Sequence, residues 1–287
     1  MPQLKARTRP VTQITPQQRD RMFQVFERYY AEISREQFET DLNEKEAVIL
    51  LIDRKSAEIQ GFSTLKTVEL TSPCGQNQRA VYSGDTVVEQ AYWGQKVLGI
   101  EFLKVLFRKK LERPFEPLYW FLISKGYKTY LLMANNFKTH YPRFEQPTPA
   151  AEQALLDRFA DALFGKKYSR QDGLIRFPVS LGQVRRGVAD ITERELQSNP
   201  RIRFFAVKNP EWKNGTELAC LAEMTFSLPF AYAWKRLLKV TLGIELNPFL
   251  PMSASSPVAS PTGHPALPAM GSTLLKLVLL LKSGGGR

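Results

Sequence analysis

The sequence predicts a mixed α/β fold whose central sheet is mostly antiparallel and flanked by helices. Residues 47–52, 59–70 and 79–89 are three successive runs rich in β-formers, joined by polar turn residues, which is typical of an antiparallel meander. After Gly94 the apolar spacing changes to the helical period, and residues 118–123 are almost wholly apolar, as in a strand covered on both faces. The order of these elements predicts helices packed on a sheet.

Further elements follow from local signals. Thr15 and Pro16 predict a helix start, because threonine caps a first turn and proline fits its first position. Residues 150–163 show apolar residues at helical spacing. Residues 200–207 and 217–226 flank a polar turn, and their β-formers predict a closing hairpin that extends the sheet.

The two ends of the chain differ from its middle. We expect a flexible N-terminus at residues 1–11, one folded domain at 12–250, and a tail rich in Pro, Ser and Gly at 251–287. The apolar segment 274–282 would lie on a membrane surface or pack as a helix on the protein or a partner. Neither a secretory signal nor a membrane-spanning run is visible, so a cytoplasmic protein is expected, with at most peripheral membrane contact.

Charge and composition restrict the partners. Lys and Arg number 40 against 28 Asp and Glu, and the net charge of +12 favours nucleic acid, phosphorylated cofactors, acidic carrier proteins or anionic lipid. The basic residues are dispersed and form no nucleic-acid-binding motif, so nucleic acid is not expected as a partner. The 2 Cys and 2 His do not have the spacing of zinc ligands, so no metal is expected. With 2 His there are also few ways to form a Ser-His-Asp triad.

Two stretches carry a resemblance to a known family. Residues 82–106 are YSGDTVVEQAYWGQKVLGIEFLKVL, which looks like a strand, a loop and a helix. Residues 118–143 are LYWFLISKGYKTYLLMANNFKTHYPR, which looks like the next strand and helix with a tyrosine near the end. With the element order over roughly residues 12–230, they resemble the GNAT acyltransferase superfamily. The resemblance implies a GNAT-like sheet and acyl transfer from an acyl-CoA, or from an acyl-phosphopantetheine carrier protein, to an amine or hydroxyl.

The helix start after Gly94 is the predicted donor site. A helix N-terminus offers unpartnered N–H groups and a positive dipole end, which suit a diphosphate. The family's loop has small residues where this chain has Lys96 and Leu98, so either the Lys96 charge compensates or cofactor binding is weakened or lost. The resemblance implies the following cofactor-binding residues: Val87, Val88, Trp93, Gly94, Gln95, Lys96, Val97, Leu98 and Gly99.

Acyl transfer to an amine needs a proton acceptor for the amine and a proton donor for the leaving thiolate. The family often places a carboxylate on or near the strand before the loop, where this chain has Asp85 and Glu89, four apart and so on one strand face. Tyr141 stands where the family often has the tyrosine that meets the sulfur. The resemblance therefore implies catalytic roles for these three residues, although each could instead be structural, and His140 is expected at the surface.

The sequence leaves two functions open. The first is an acyltransferase acting on a small-molecule or peptide amine, with an acyl-CoA or an acyl carrier protein as donor. The second is a catalytically silent GNAT-like module that binds an acyl thioester, a lipid surface or a protein partner. The missing small residues of the loop favour the second function, and the basic charge suits the first.

Overall fold

The computed structural model describes residues 3–31, 34–72, 74–177, 183–184 and 191–232. The strands are β1 (Leu4–Pro10), β2 (Tyr30–Ala31), β3 (Ala47–Asp53), β4 (Ile59–Thr71), β5 (Asn77–Val88), β6 (Leu118–Ser124), β7 (His140–Tyr141), β8 (Tyr168–Ser169), β9 (Leu174–Ile175), β10 (Gln183–Val184) and β11 (Glu217–Glu223). The helices are α1 (Pro16–Tyr29), α2 (Arg35–Asn43), α3 (Val97–Glu112), α4 (Tyr127–Ala134), α5 (Ala150–Phe164), α6 (Glu193–Ser198) and α7 (Pro200–Lys208). The predicted tail at 251–287, its apolar segment 274–282 and the domain boundary at 250 lie outside the described residues.

The central sheet has nine strands, in the order β1-β3-β4-β5-β6-β11-β9-β8, with β7 also paired to β11. Within the described chain β5 and β6 are parallel, and the other pairs of this sheet are antiparallel. The meander predicted from the sequence is β3, β4 and β5, and the apolar strand is β6. The predicted fold class, a mostly antiparallel mixed sheet flanked by helices, is therefore confirmed.

The N-terminal segment is a strand. β1 pairs with β3 along its whole length, from Leu4 opposite Asp53 to Pro10 opposite Ala47. The prediction of a flexible terminus at 1–11 is thus wrong for the part of this segment that is described. Leu4 is only 4% exposed and packs in the core. The apolar partner strand that stabilises β1 is about 40 residues further along the chain, so local composition could not indicate it.

The predicted closing hairpin is also wrong. Its second strand forms as β11, but residues 200–208 are helix α7. The Asn199 side chain accepts hydrogen bonds from two amides of the first turn, and a proline occupies the first helical position. Ile202 and Phe205 then point together into the core. The β-formers of this segment suggested a strand, but the cap and the packing favour the helix.

Three apolar clusters cover the sheet. One contains side chains of β3 to β6 with those of α3, α4 and α7, a second lies with α1 and α2, and a third with α5. Each large apolar side chain that is buried contributes about 1.5–3 kcal/mol, so these clusters fix the helices on the sheet. None of the helices in the described ranges has the length and apolarity of a membrane span.

Candidate functional site

The two parallel strands part at one end. β5 pairs with β6 from Arg79 opposite Leu118 to Ser83 opposite Leu122. Beyond this register β5 continues to Val88 and β6 to residue 124, with no pairing between them. A gap thus separates the two strand ends, and the segments that follow them, the loop into α3 and the start of α4, border it.

A β-bulge in β5 lies where the pairing ends. Ser63 pairs with Thr86 and Leu65 pairs with Ser83, so both Gly84 and Asp85 lie opposite Thr64. An extra residue in one strand bends it, and the pairing of β5 with β6 ends at this bulge. A Cβ atom on Gly84 would lie 2.6 Å from Thr64 Oγ1, so a larger residue would disturb the bulge.

One side of the gap, here called the donor side, is residues 93–99. Gly94 has φ +84°, and Lys96 is the N-cap of α3. Both Gly94 and Gly99 border open space, because an added Cβ would have no neighbour within 4 Å. Within the described chain no acceptor contacts five amide N–H groups of this segment, those of Gly94, Lys96, Val97, Leu98 and Gly99. Several N–H groups and the positive end of a 16-residue helix therefore meet at one exposed place.

Trp93 covers part of the strand edge beside this segment. Its Nε1–H donates to the Val88 carbonyl oxygen at 2.8 Å, and the Lys128 ammonium lies 4.8 Å from its ring centroid. Lys128 belongs to α4, which follows β6, so the Trp93 to Lys128 contact spans from one side of the gap to the other. The indole is 43% exposed. A ligand using the Val88 carbonyl would have to displace this ring.

The remaining predicted cofactor residues serve the fold. Gln95 Oε1 accepts a hydrogen bond from the Leu4 amide at 3.0 Å, which joins the loop to β1. Val97 and Leu98 pack against the core cluster that contains α3. Val87 is buried in the α1 and α2 cluster, and its carbonyl oxygen lies against Gly61 of β4. The Val87 side chain thus lies on the α1 and α2 face and its carbonyl oxygen faces β4, so neither group supports the predicted contact with a donor.

The other side of the gap, here called the acceptor side, carries ionisable side chains. Lys125 directly follows β6, and its Nζ lies 3.4 Å from Glu217 Oε1 and 5.5 Å from the ring centroid of Tyr30. Asp85, in the bulge of β5, feels the charges of Lys45 and Lys125. Asp85 and Glu217 also interact electrostatically, although they belong to separate strands. The fold therefore collects two carboxylates and two ammonium groups from four separate segments.

The two carboxylates have a raised proton affinity. Burial raises the pKa of Asp85, Asp41 adds to this effect, and Lys45 and Lys125 oppose it. Burial also raises the pKa of Glu217, with Asp85 adding and Lys125 opposing. The same burial, together with both carboxylates, raises the pKa of the Tyr30 and Tyr82 phenols. A carboxylate with a raised pKa is a better proton acceptor, so this group can take a proton from a bound amine.

Glu89 interacts mainly with α1. Arg28 Nη1 lies 2.6 Å from one carboxylate oxygen, and the Tyr29 hydroxyl donates to the other at 2.9 Å. The same hydroxyl accepts a hydrogen bond from the Gln90 amide at 2.6 Å. This network fixes the chain as it leaves β5, which favours a structural role for Glu89 over that of a base.

Tyr141 lies away from the gap. It pairs with Leu221 on the edge of β11 that faces away from β6, so two strand spacings, about 10 Å, separate it from β6. This position corrects the prediction that Tyr141 meets the thiolate, because the chain crosses to the far edge of β11 after α4. His140 beside it is 1% exposed rather than at the surface, and burial lowers its pKa to about 4.

Sequence reasoning missed Glu217 and Lys125. The only signal for Glu217 was a charged residue at the start of a strand that is apolar between its two terminal glutamates, ELACLAE. Lys125 lies in a stretch that the resemblance covers, but no local pattern distinguishes it. In the part of the chain that is described, no three His, Cys, Asp or Glu side chains form a metal-binding group.

Several solved structures are similar to parts of this chain. One similar solved structure is an Enterococcus faecalis protein of unknown function, a probable N-acyltransferase, with TM-score 0.36, 12% identity, and coverage of 48% of this chain and 33% of that chain. Another is Arabidopsis thaliana NAA60 with acetyl-CoA, with TM-score 0.34, 18% identity, and coverage of 45% and 82%. A third is the Escherichia coli GNAT family N-acetyltransferase YhbS with CoA, with TM-score 0.32, 17% identity, and coverage of 47% and 74%.

These similarities concern the fold alone. The chain spans about a third of the length of the Enterococcus protein. No family model matches the sequence. No curated protein matches it either.

Proposed function

We propose that this chain is an acyltransferase that binds an acyl-CoA in the gap between β5 and β6 and passes the acyl group to an amine. The observation that carries the proposal is the juxtaposition at this gap of unpartnered helix amides on the donor side and high-pKa carboxylates on the acceptor side. The first group suits an anionic donor, and the second suits a cationic acceptor that must lose a proton.

The donor side fits the diphosphate of CoA. Among the described residues, the amides of Gly94, Lys96 and the first turn of α3 have no acceptor, and no atom of that part of the chain fills the space beside Gly94 and Gly99. The Lys96 side chain is exposed at the same place, so its charge substitutes for the small residues of the family's loop. An acyl carrier protein presents the same phosphopantetheine arm, and the basic character of the chain would suit its acidic surface.

The acceptor side supplies the base. With Asp85 or Glu217 deprotonated, an amine in the gap gives up a proton, its nitrogen attacks the thioester carbonyl carbon, and the thiolate leaves. The N-terminus of α4 follows β6 directly at Gly126, so its positive dipole end stabilises negative charge on the sulfur. An ammonium acceptor is favoured over a hydroxyl, because the carboxylates attract it before it reacts.

Acyl-CoA binding is the first test. We expect CoA and acyl-CoAs to raise the melting temperature of the full chain, since a ligand present at about a hundred times its Kd stabilises the native state by about 2.7 kcal/mol. A panel from acetyl to long-chain acyl-CoA, read by differential scanning fluorimetry, would also report the preferred acyl length. No shift with any member, and none with an acyl carrier protein, would contradict the proposal.

A second candidate is a module that binds a thioester without catalysis. The contact of Trp93 with the Val88 carbonyl favours it, because it blocks part of the edge along which a donor would lie. Measuring the release of CoA thiol in the presence of amines distinguishes the acyltransferase from the silent module. Binding without release for any amine of a broad panel would favour the silent module.

A further inference from the structure

A lysine of the chain lies where the acceptor amine of the proposed reaction would be. Lys125 Nζ is 3.4 Å from Glu217 Oε1, and its charge acts on Asp85, which belongs to β5. The ammonium is thus paired with Glu217, and its charge also acts on Asp85. It also lies 5.5 Å from the Tyr30 ring centroid, so an aromatic face completes its surroundings.

The access to Lys125 is restricted. Its side chain is 14% exposed, and that of Glu217 is 12% exposed. A reagent in bulk solvent therefore reaches the amine poorly. A thioester bound between β5 and β6 would have to reach the amine from the gap, which borders the end of β6 that Lys125 follows.

We propose that Lys125 is itself acylated by a thioester bound in the gap, an inference that rests on the function proposed above. The ammonium gives one proton to Glu217 or Asp85. The neutral amine forms a C–N bond to the thioester carbonyl carbon while the C–S bond breaks, and the electron pair leaves with the sulfur. The second proton passes to the thiolate, so the products are an amide on Lys125 and free CoA thiol.

Two other lysines near the gap make the choice of Lys125 specific. Lys45 also acts on Asp85, but its Nζ donates to the Asp41 carbonyl oxygen at 2.8 Å. Lys128 stacks on Trp93 at 4.8 Å from the ring centroid. Lys125 Nζ instead lies 3.4 Å from the carboxylate oxygen of Glu217. Lys125 therefore has a candidate base beside it to take its proton.

Acylation would change the site as well as mark it. The amide is neutral, so the ion pair with Glu217 is lost, as is the positive charge that opposes the raised pKa of Asp85 and Glu217. An amide is chemically stable, so the mark persists after the thiol leaves. Self-acylation would thus shift the titration of both bases upward in the modified protein.

The test uses the full chain and acetyl-CoA with a deuterated acetyl group. We expect peptide mapping by mass spectrometry to find the label on Lys125, at a rate independent of protein concentration. The exposed Lys213 reports the chemical background. Labelling of Lys125 should be faster by about 10²-fold or more, since a positioned proton acceptor alone contributes about 10²–10⁴-fold. Lys125→Arg keeps the charge and should remove the label, while Lys213→Arg should retain the label on Lys125.

The outcomes separate this inference from the proposed function. Thermal stabilisation by acetyl-CoA without a label on Lys125 overturns the inference and leaves the function standing. Equal labelling of Lys125 and Lys213, or transfer of the label to Lys45, also overturns it. Absence of the label, together with no stabilisation by any acyl-CoA of the panel or by an acyl carrier protein, overturns both. The same thermal shift in Lys125→Arg verifies that this variant is folded and binds the donor.

Discussion

The donor and acceptor sides of the gap are built in different ways. The donor side is one continuous stretch, residues 93–99, and it offers mainly backbone N–H groups. The acceptor side joins Lys45 after α2, Asp85 in β5, Lys125 after β6 and Glu217 in β11, and it offers side-chain charges. The first depends on local chain geometry, whereas the second depends on which strands are neighbours.

This difference explains which side tolerates change. Backbone amides at a helix start persist with almost any side chain, so Lys96 and Leu98 can replace small residues without removing them. A constellation of charges depends on each member, because removing one leaves its partners buried and uncompensated. Substitutions should therefore affect catalysis most on the acceptor side and binding most on the donor side.

The largest effect is expected from the acceptor carboxylates. At least one of the variants Glu217→Gln and Asp85→Asn should lower kcat/KM for CoA thiol release by about 10²-fold or more, because one of these two carboxylates is the proposed proton acceptor. Glu89→Gln is the matched control and should keep most of the activity, since Glu89 is held by Arg28 and Tyr29.

One result would contradict the assignment of the base to Asp85 or Glu217. A larger loss in Glu89→Gln than in both other variants, with unchanged melting temperatures, would return the base to Glu89. Equal affinity for acyl-CoA in all variants is expected, because none of these groups lies on the donor side.

The pH dependence should follow the raised pKa values of Asp85 and Glu217. The base must be deprotonated, so kcat/KM should fall as the pH drops through a pKa above the ordinary carboxylate values of 3.8 and 4.5. Each further unit of pH below that pKa lowers the rate about tenfold, since the deprotonated fraction falls in that proportion. An acid limb at or below the ordinary values would contradict the burial of the two carboxylates.

The pH dependence of the melting temperature is a second measure of the raised pKa of Asp85, and it needs no substrate. A carboxyl whose pKa is raised on folding stabilises the native state below its unfolded pKa, and this contribution is lost as the pH rises through the folded pKa. The side-chain amide in the variant Asp85→Asn cannot titrate. Its melting temperature relative to the unsubstituted chain should therefore increase from acid towards neutral pH.

A smaller effect is expected on the donor side. Gly99→Asp places a negative charge in the first turn of α3, where it stabilises the helix but repels a diphosphate. Affinity for CoA should fall by about fivefold, which corresponds to about 1 kcal/mol for like charges a few ångströms apart in water. Gly99→Ala is the matched control and should bind normally, because open space surrounds this position. If Gly99→Asp bound CoA as tightly as the unsubstituted chain, the diphosphate would have to bind elsewhere.

Much of the fold could be predicted from local patterns. The strands β3, β4, β5 and β6 and the helices α3 and α5 follow the apolar periodicity of their own residues. The strand β1 could not be predicted, because its stability comes from pairing with a distant strand. Helix α7 was missed because an asparagine cap and core packing outweighed the β-propensity of its residues.

Part of the candidate site could likewise be predicted from the sequence, and part could not. Asp85 was predicted from its place before the loop, and it lies at the gap. Glu217 and Lys125 were missed, because the antiparallel pairing of β11 with β6 brings them together from nearly a hundred residues apart. Tyr141 was misplaced for the same reason, since its distance from the gap depends on which edge of β11 it joins.

By itself, the sequence determined the strands β3 to β6, the helices α3 and α5 and the start of α3, because these depend on interactions within a few residues. Only the tertiary structure decided that the pairing of β5 with β6 ends at Ser83 and that Asp85, Lys125 and Glu217 share one buried site. Strand neighbours and burial are long-range properties, and they set the charges and proton affinities on which the proposed chemistry depends.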